Sequence, residues 1–215
     1  IDLVNRISLE AGQQGIPAGG LINKDMKRFN ISGRLDHGVL VPLYFVSNEY
    51  RDFKLVQIAL SDMPFYDLYK FGMCIRKAIK ESAGNTVLLA SGDLSHKLSE
   101  DAPYGFSKRA AEFDSAIIKA VESSDPMSLV NMEHDLYESA GECGLRAFII
   151  MYGALDGYLL EPEVYSYEGP FGVGYGTAKI KICGYNPENS LYEEMLSSYK
   201  DKMMRIRGAE DDYVS

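Results

Sequence analysis

Residues 38–46 (GVLVPLYFV) form an apolar run with no polar–apolar alternation, and no other stretch restricts the fold as tightly. Such a run is either a strand covered on both faces or a short buried helix. Its β-branched and aromatic residues favour the strand, with Pro42 leaving the pairing imperfect. Residues 53–60 (FKLVQIAL) read as a second strand. Ser61–Asp62–Met63–Pro64 then supplies cap and first-turn residues for a helix. The buried stripe of that helix is Leu68, Gly72, Ile75 and Ile79, at spacings of 4, 3 and 4. Residues 85–91 (NTVLLAS), between Gly84 and Gly92, read as a third strand. A loop carrying Asp93 and His96 follows, and Ser107 opens a helix with Ala110, Phe113, Ile117 and Val121 on one face. Strand, helix, strand, loop, helix is the rhythm of an α/β sheet. Such sheets gather ligands in loops beyond the carboxyl ends of strands, so the loop after Ser91 is a site candidate on topology alone.

The flanks complete the expectation. Leu3, Ile7 and Ala11 share a helix face at the front, and residues 141–155 are apolar nearly all round, as in a buried helix. Residues 163–167 read as a strand. Ala178, Ile180 and Ile182 alternate with Lys179 and Lys181, as on a half-exposed edge strand. Ser190 and Glu193 form a capping box opening an amphipathic helix (Leu191, Met195, Tyr199, Met203, Ile206) that Gly208 ends. One domain over residues 1–189, followed by a departing helix and linker over 190–215, is the economical organisation. The start at Ile1 rather than Met and the acidic close at residues 210–215 read as a fragment of a longer protein.

Composition narrows the function classes. Lys and Arg number 22 against 31 Asp and Glu, a net charge of −9, and no stretch concentrates the cations. A nucleic-acid partner is not expected, because phosphate contacts need a basic face. Neither a membrane-length apolar run nor a signal peptide is present, so no membrane partner is expected either. Cys74, Cys143 and Cys183 show no CxxC spacing, which suits a reducing cytoplasm and excludes a zinc ribbon or disulfide scaffold. Histidines occur only at 37, 96 and 134.

Taken singly, the chemically capable residues each have two readings. His37, in Asp36–His37–Gly38, is a turn filler or a titratable imidazole beside a carboxylate. In Ser91–Gly92–Asp93–Leu94–Ser95–His96, two hydroxyls, a carboxylate and an imidazole lie within six residues. A helix cap from Asp93 or Ser95 is the plain reading; that density of polar groups beyond a strand favours a site. His134 lies in a charged, solvated stretch and reads as surface. Glu142, at the front of an apolar helix, is either a first-turn acid favoured by the helix dipole or a metal ligand or general base. Cys143 beside it reads as a plain buried thiol. Gly172–Val173–Gly174–Tyr175–Gly176 is not the dinucleotide fingerprint, and a strand follows it, so phosphate binding is not expected.

Together, Asp36–His37–Gly38 with Val41–Pro42–Leu43, and the Ser91 to His96 segment, resemble two signatures of the class III (LigB-type) extradiol ring-cleavage dioxygenases. Gly141–Glu142–Cys143–Gly144–Leu145–Arg146 and Pro170–Phe171–Gly172–Val173–Gly174–Tyr175 are similar to the dioxygenase-like domain of the AmmeMemoRadiSam system protein A family, relatives of the Memo proteins. The likeness runs over residues 36–182. It implies an α/β three-layer sandwich with a mixed central sheet flanked by helices. It also implies a mononuclear non-haem Fe(II) held by two histidines and one carboxylate, with open positions for a catecholate and dioxygen. By motif, His37 and His96 are the acid/base pair, Glu142 is the carboxylate ligand, and Asp93 and Ser95 border the substrate pocket. Cys143 is the rival ligand, as in the Memo-like branch. His37, His96 and Glu142 are then expected to converge on one cavity. The family's metal histidines precede the position of Asp36, whereas residues 1–35 hold none. The resemblance thus assigns them to a front portion missing from this chain; the alternative is a triad of His37, His96 and Glu142. The implied partners are a small aromatic substrate, O₂ and a second domain beyond the tail; the oligomeric state is open, although a fragment missing strands would expose a sheet edge to a further copy of the chain. A non-catalytic metabolite- or protein-binding domain is the rival function, and a hydrolytic metal-dependent reaction a third.

Overall fold

The computed structural model describes residues 2–20 and 35–214, with side chains to residue 204. Helices α1 (Asp2–Gln13), α2 (His37–Glu49), α3 (Phe65–Lys80), α4 (Ala110–Ser123), α5 (Pro126–Val130), α6 (His134–Ala140) and α7 (Leu145–Ala154) precede two strands, β1 (Tyr158–Glu168) and β2 (Tyr175–Tyr185), and the closing helix α8 (Tyr192–Val214). The chain is mixed helix and strand. Among the described residues the sheet is one antiparallel pair, running from Tyr158 opposite Tyr185 to Glu168 opposite Tyr175. No helix among them is long and apolar enough to cross a membrane.

The core is organised by α3 and α7, which cross backbone to backbone. A Cβ on Gly72 would lie 2.1 Å from the Ile150 carbonyl oxygen, and one on Gly153 would lie 2.0 Å from that of Tyr69. Only glycine allows so close an approach. Leu68 and Ile75 of the expected α3 stripe are buried, as are Leu145, Ile149 and Tyr152 of α7. On α4 the expected face is buried too, with Phe113 and Ile117 fully enclosed. Helix α1 covers α3 with Ile7 and Ala11. Just beyond α7, buried Asp156 accepts hydrogen bonds from Tyr69 Oη (2.7 Å), Ser190 Oγ (2.6 Å) and the Leu191 amide (2.9 Å). Ser190 therefore clasps α8 to the core through Asp156, while its Oγ also accepts the Tyr192 amide at the start of the helix, at 3.4 Å. Helix α8 also runs through Gly208 to Val214 instead of stopping there.

Three expected strands are not strands. Residues 38–46 belong to α2, because Asp36 takes an extended conformation and its side chain accepts the Val39 amide at 3.0 Å, a helix N-cap. Residues 53–60 and 85–91 form no regular element. A strand exists only by pairing, and no neighbouring strand lies beside them among the described residues. The consequence is exposure. Helix α2 has no buried residue, Phe45 is 66 % exposed, and Val87 is 90 % exposed.

Candidate metal centre

The loop from Ser91 to Leu98 is threaded between two other loops, and backbone hydrogen bonds tie it to both. On one side Cys143 N donates to Asp93 O (3.3 Å) and His96 N to Ala140 O (3.0 Å). On the other, Leu94 N donates to Gly174 O (2.9 Å), Gly174 N to Ser95 O (2.8 Å) and Leu98 N to Gly172 O (3.0 Å). Glycines permit the threading. A Cβ on Gly92 would meet the Gly144 Cα at 2.4 Å, and one on Gly174 would meet Asp114 Oδ2 at 2.1 Å. The GxGxG run thus serves close packing of loops.

This threading brings Asp93, His96 and Cys143 together, with one potential ligand atom from each lying within 4.8 Å of the others. The His96 ring is constrained on both sides. Its Nδ1–H donates to the carbonyl of Gly141, a glycine in the left-handed conformation (φ 63°) that ends α6. With the proton on Nδ1, the neutral ring turns its Nε2 lone pair toward Asp93 Oδ2, 3.1 Å away. A ring nitrogen and a carboxylate oxygen at that separation can share a hydrogen bond or bind one metal ion between them. Tyr104 packs edge-on against the imidazole, with ring centroids 5.4 Å apart. Cys143 Sγ accepts the Asp93 amide at 3.2 Å. Cys143 is exposed rather than the buried thiol its sequence context suggests. Partial desolvation, reinforced by the carboxylates of Asp93 and Glu142, nonetheless raises its thiol above the ordinary range, against the pull of a backbone hydrogen bond. A cation would reverse that balance by favouring the thiolate.

The other expected residues take different positions. Glu142 is 3 % exposed at its side chain; Oε2 accepts the Leu145 amide at 2.7 Å and Oε1 lies 3.5 Å from Arg146. Its carboxyl is pushed up by burial, opposed by the Leu145 bond and by Arg146. Both oxygens are thus engaged at the start of α7, the first-turn position that its sequence context also allowed. Ser95 is fully buried, and its amide and hydroxyl both donate to Asp114, at 2.7 and 3.0 Å. It underpins the loop. His37 is exposed as the first residue of α2 and reaches the site segment indirectly. Pro42 has no N–H to offer the Gly38 carbonyl one turn back. Ser91 Oγ donates to that carbonyl at 2.6 Å, joining the two signature segments. His134 is exposed.

The residue that sequence reasoning missed is Asp114. It lies on the apolar face of α4, four residues beyond Ala110 and three before Ile117, where a carboxylate must find partners. Besides Ser95 it accepts Tyr167 Oη from β1 at 2.7 Å. Burial and that bond push the Tyr167 phenol well above its usual range, so it stays a donor.

Comparisons with known proteins place the chain in a family. The family model described as the catalytic LigB subunit of aromatic ring-opening dioxygenase matches residues 2–178. Protein CA_C1420 of Clostridium acetobutylicum is 36 % identical over 213 residues, covering 99 % of this chain and 45 % of that protein. A 3,4-dihydroxyphenylacetate 2,3-dioxygenase of Escherichia coli is 39 % identical over 93 residues, covering 41 % of this chain and 33 % of that enzyme. A MEMO1 family protein of Methanococcoides burtonii is 24 % identical over 165 residues, covering 70 % of this chain and 58 % of that protein. The chain spans about half the length of the first of these relatives. With the family model matched across most of its length and the two signature segments joined at Ser91 and Gly38, the chain belongs to the LigB family.

Proposed function

We propose that this chain is the greater part of a non-haem Fe(II) extradiol dioxygenase domain that opens or oxidises a catechol-type ring with O₂. The observation that carries the reading is His96, whose Nδ1–H is held by the Gly141 carbonyl while Nε2 faces Asp93 beside Cys143. One imidazole, one carboxylate and one thiol form a donor set that suits a divalent transition metal. A backbone acceptor on the far nitrogen is the outer contact that ligating imidazoles commonly make. Asp93, His96 and Cys143 would hold the metal, with Cys143 preferred to Glu142 because the Glu142 oxygens are engaged at α7. When bound, the metal supplies a common centre through which an aromatic diol and dioxygen share electrons. His37, exposed and linked to the site loop through Gly38 and Ser91, is the proton carrier for the substrate hydroxyl. The remaining imidazole ligation comes from a front portion of the longer polypeptide. That portion would also pair residues 53–60 and 85–91 as strands, cover α2, and complete the three-layer sandwich with its mixed central sheet. A second domain following α8 and a cytoplasmic setting complete the proposal.

A second reading, a non-catalytic Memo-like domain binding a metabolite or protein, is favoured by one observation. The MEMO1 family match covers 70 % of this chain, against 41 % for the dioxygenase match. Metal analysis of the anaerobically purified full polypeptide, then oxygen uptake with a panel of catechols, separates the two. About one iron per chain with uptake supports the enzyme; no metal under any loading leaves the binding domain. His96→Ala assigns the imidazole. Loss of metal with activity marks a ligand, whereas retained metal without turnover marks the proton carrier that the family resemblance implies.

A further inference from the structure

We infer that Asp114 is the positioning residue of the metal centre, holding the loop that presents Asp93 and His96 through a buried anionic anchor; the inference rests on the metal reading of that trio. Asp114 is fully enclosed, and its three hydrogen bonds come from neutral donors: the Ser95 amide at 2.7 Å, Ser95 Oγ at 3.0 Å and Tyr167 Oη at 2.7 Å. A buried carboxylate without a cation is costly wherever a neutral side chain would do. A neutral acceptor would be enough to hold one serine and one tyrosine for packing alone.

The placement says what the charge is for. Ser95 directly precedes His96 and lies two residues beyond Asp93, so pinning both its amide and its hydroxyl removes the rotation that would separate them. Three elements converge on the anchor: α4 carries it, β1 supplies Tyr167, and the glycine run passes so close that only Gly174 fits. Ser95 O is itself fixed by Gly174 N at 2.8 Å, so the peptide groups on both sides of the residue are set. The orientation of the His96 ring toward Gly141 and Asp93 follows from that fixed backbone. Outer contacts of this kind govern how tightly a metal is held.

The test is Co(II) titration of the full polypeptide, read by the thiolate-to-metal absorption of Cys143, alongside thermal melting. Asp114→Asn keeps the shape and a carbonyl for the Ser95 amide while removing the charge. It is expected to weaken Co(II) binding about 10- to 100-fold, in keeping with other outer contacts of metal sites, and to leave melting close to wild type. Tyr167→Phe removes one donor, keeps the charge, and is expected to weaken binding less; it also serves if Asp114→Asn does not fold. Wild-type Co(II) binding matched by both variants, with melting alone lowered, overturns the positioning role while leaving the metal reading intact. Absence of Co(II) binding in the wild type overturns both.

Discussion

Helices α2 and α7 have nearly the same make-up and opposite surroundings. Both are apolar around most of their circumference, yet Leu145 and Ile149 of α7 are fully enclosed while α2 has no buried residue. The difference is one of supply. Helix α7 meets α3 at a glycine contact that lets two backbones touch. Helix α2 is held at its first turn by Asp36 and by Ser91 on Gly38. A helix that is apolar all round belongs in an interior, so under the proposed front portion of the domain α2 would become one wall of a core; among the described residues it stays uncovered. Residues 53–60 and 85–91 share its condition.

The contrast can be sharpened or broken by paired substitutions. Ile149→Ala is expected to cost about 2–5 kcal/mol, as for buried aliphatic truncations. Tyr44→Ala on α2 should stay within about 0.5 kcal/mol in this chain, as for surface positions. Urea denaturation measures both, and equal losses would mean that α2 is packed after all. Next in size is Gly72→Ala, whose Cβ would lie 2.1 Å from a backbone carbonyl and should cost about 1–3 kcal/mol or more. The matching change on α2, Gly38→Ala, finds its nearest atom at 3.6 Å. It should be neutral or gain a fraction of the roughly 1 kcal/mol helix preference of alanine over glycine. The smallest effect leaves the sequence unchanged. Amides of residues 53–60 and 85–91 should exchange with deuterium at nearly unprotected rates while those of α3 and α7 are slow. Supplying the longer polypeptide should bring the first group under protection, and its failure to do so would remove the case for strand pairing there.

What was legible in the sequence follows the same line. The α3 and α4 stripes were readable because a 3.6-residue period records which side faces the core. Residues 38–46 have no such period, and a single side chain, Asp36 on the Val39 amide, decides for helix. Residues 53–60 and 85–91 carry strand preference, but pairing depends on a neighbour that their own residues do not encode. At the candidate site, the density of polar groups from Ser91 to His96 marked the loop that supplies two of the three grouped side chains, Asp93 and His96. Which of Glu142 and Cys143 faces it was not readable, because adjacent residues differ only by how α7 begins. Asp114 was hidden by distance along the chain, although a carboxylate on an apolar helix face was a usable signal.

The most direct test of the metal centre is X-ray absorption at the zinc edge of the zinc-loaded full polypeptide. A sulfur neighbour at about 2.3 Å together with nitrogen and oxygen neighbours at about 2.0–2.1 Å is the expected result, with Cys143→Ser removing the sulfur. A shell of nitrogen and oxygen alone, unchanged by Cys143→Ser, would contradict the grouping of Asp93, His96 and Cys143 around a metal.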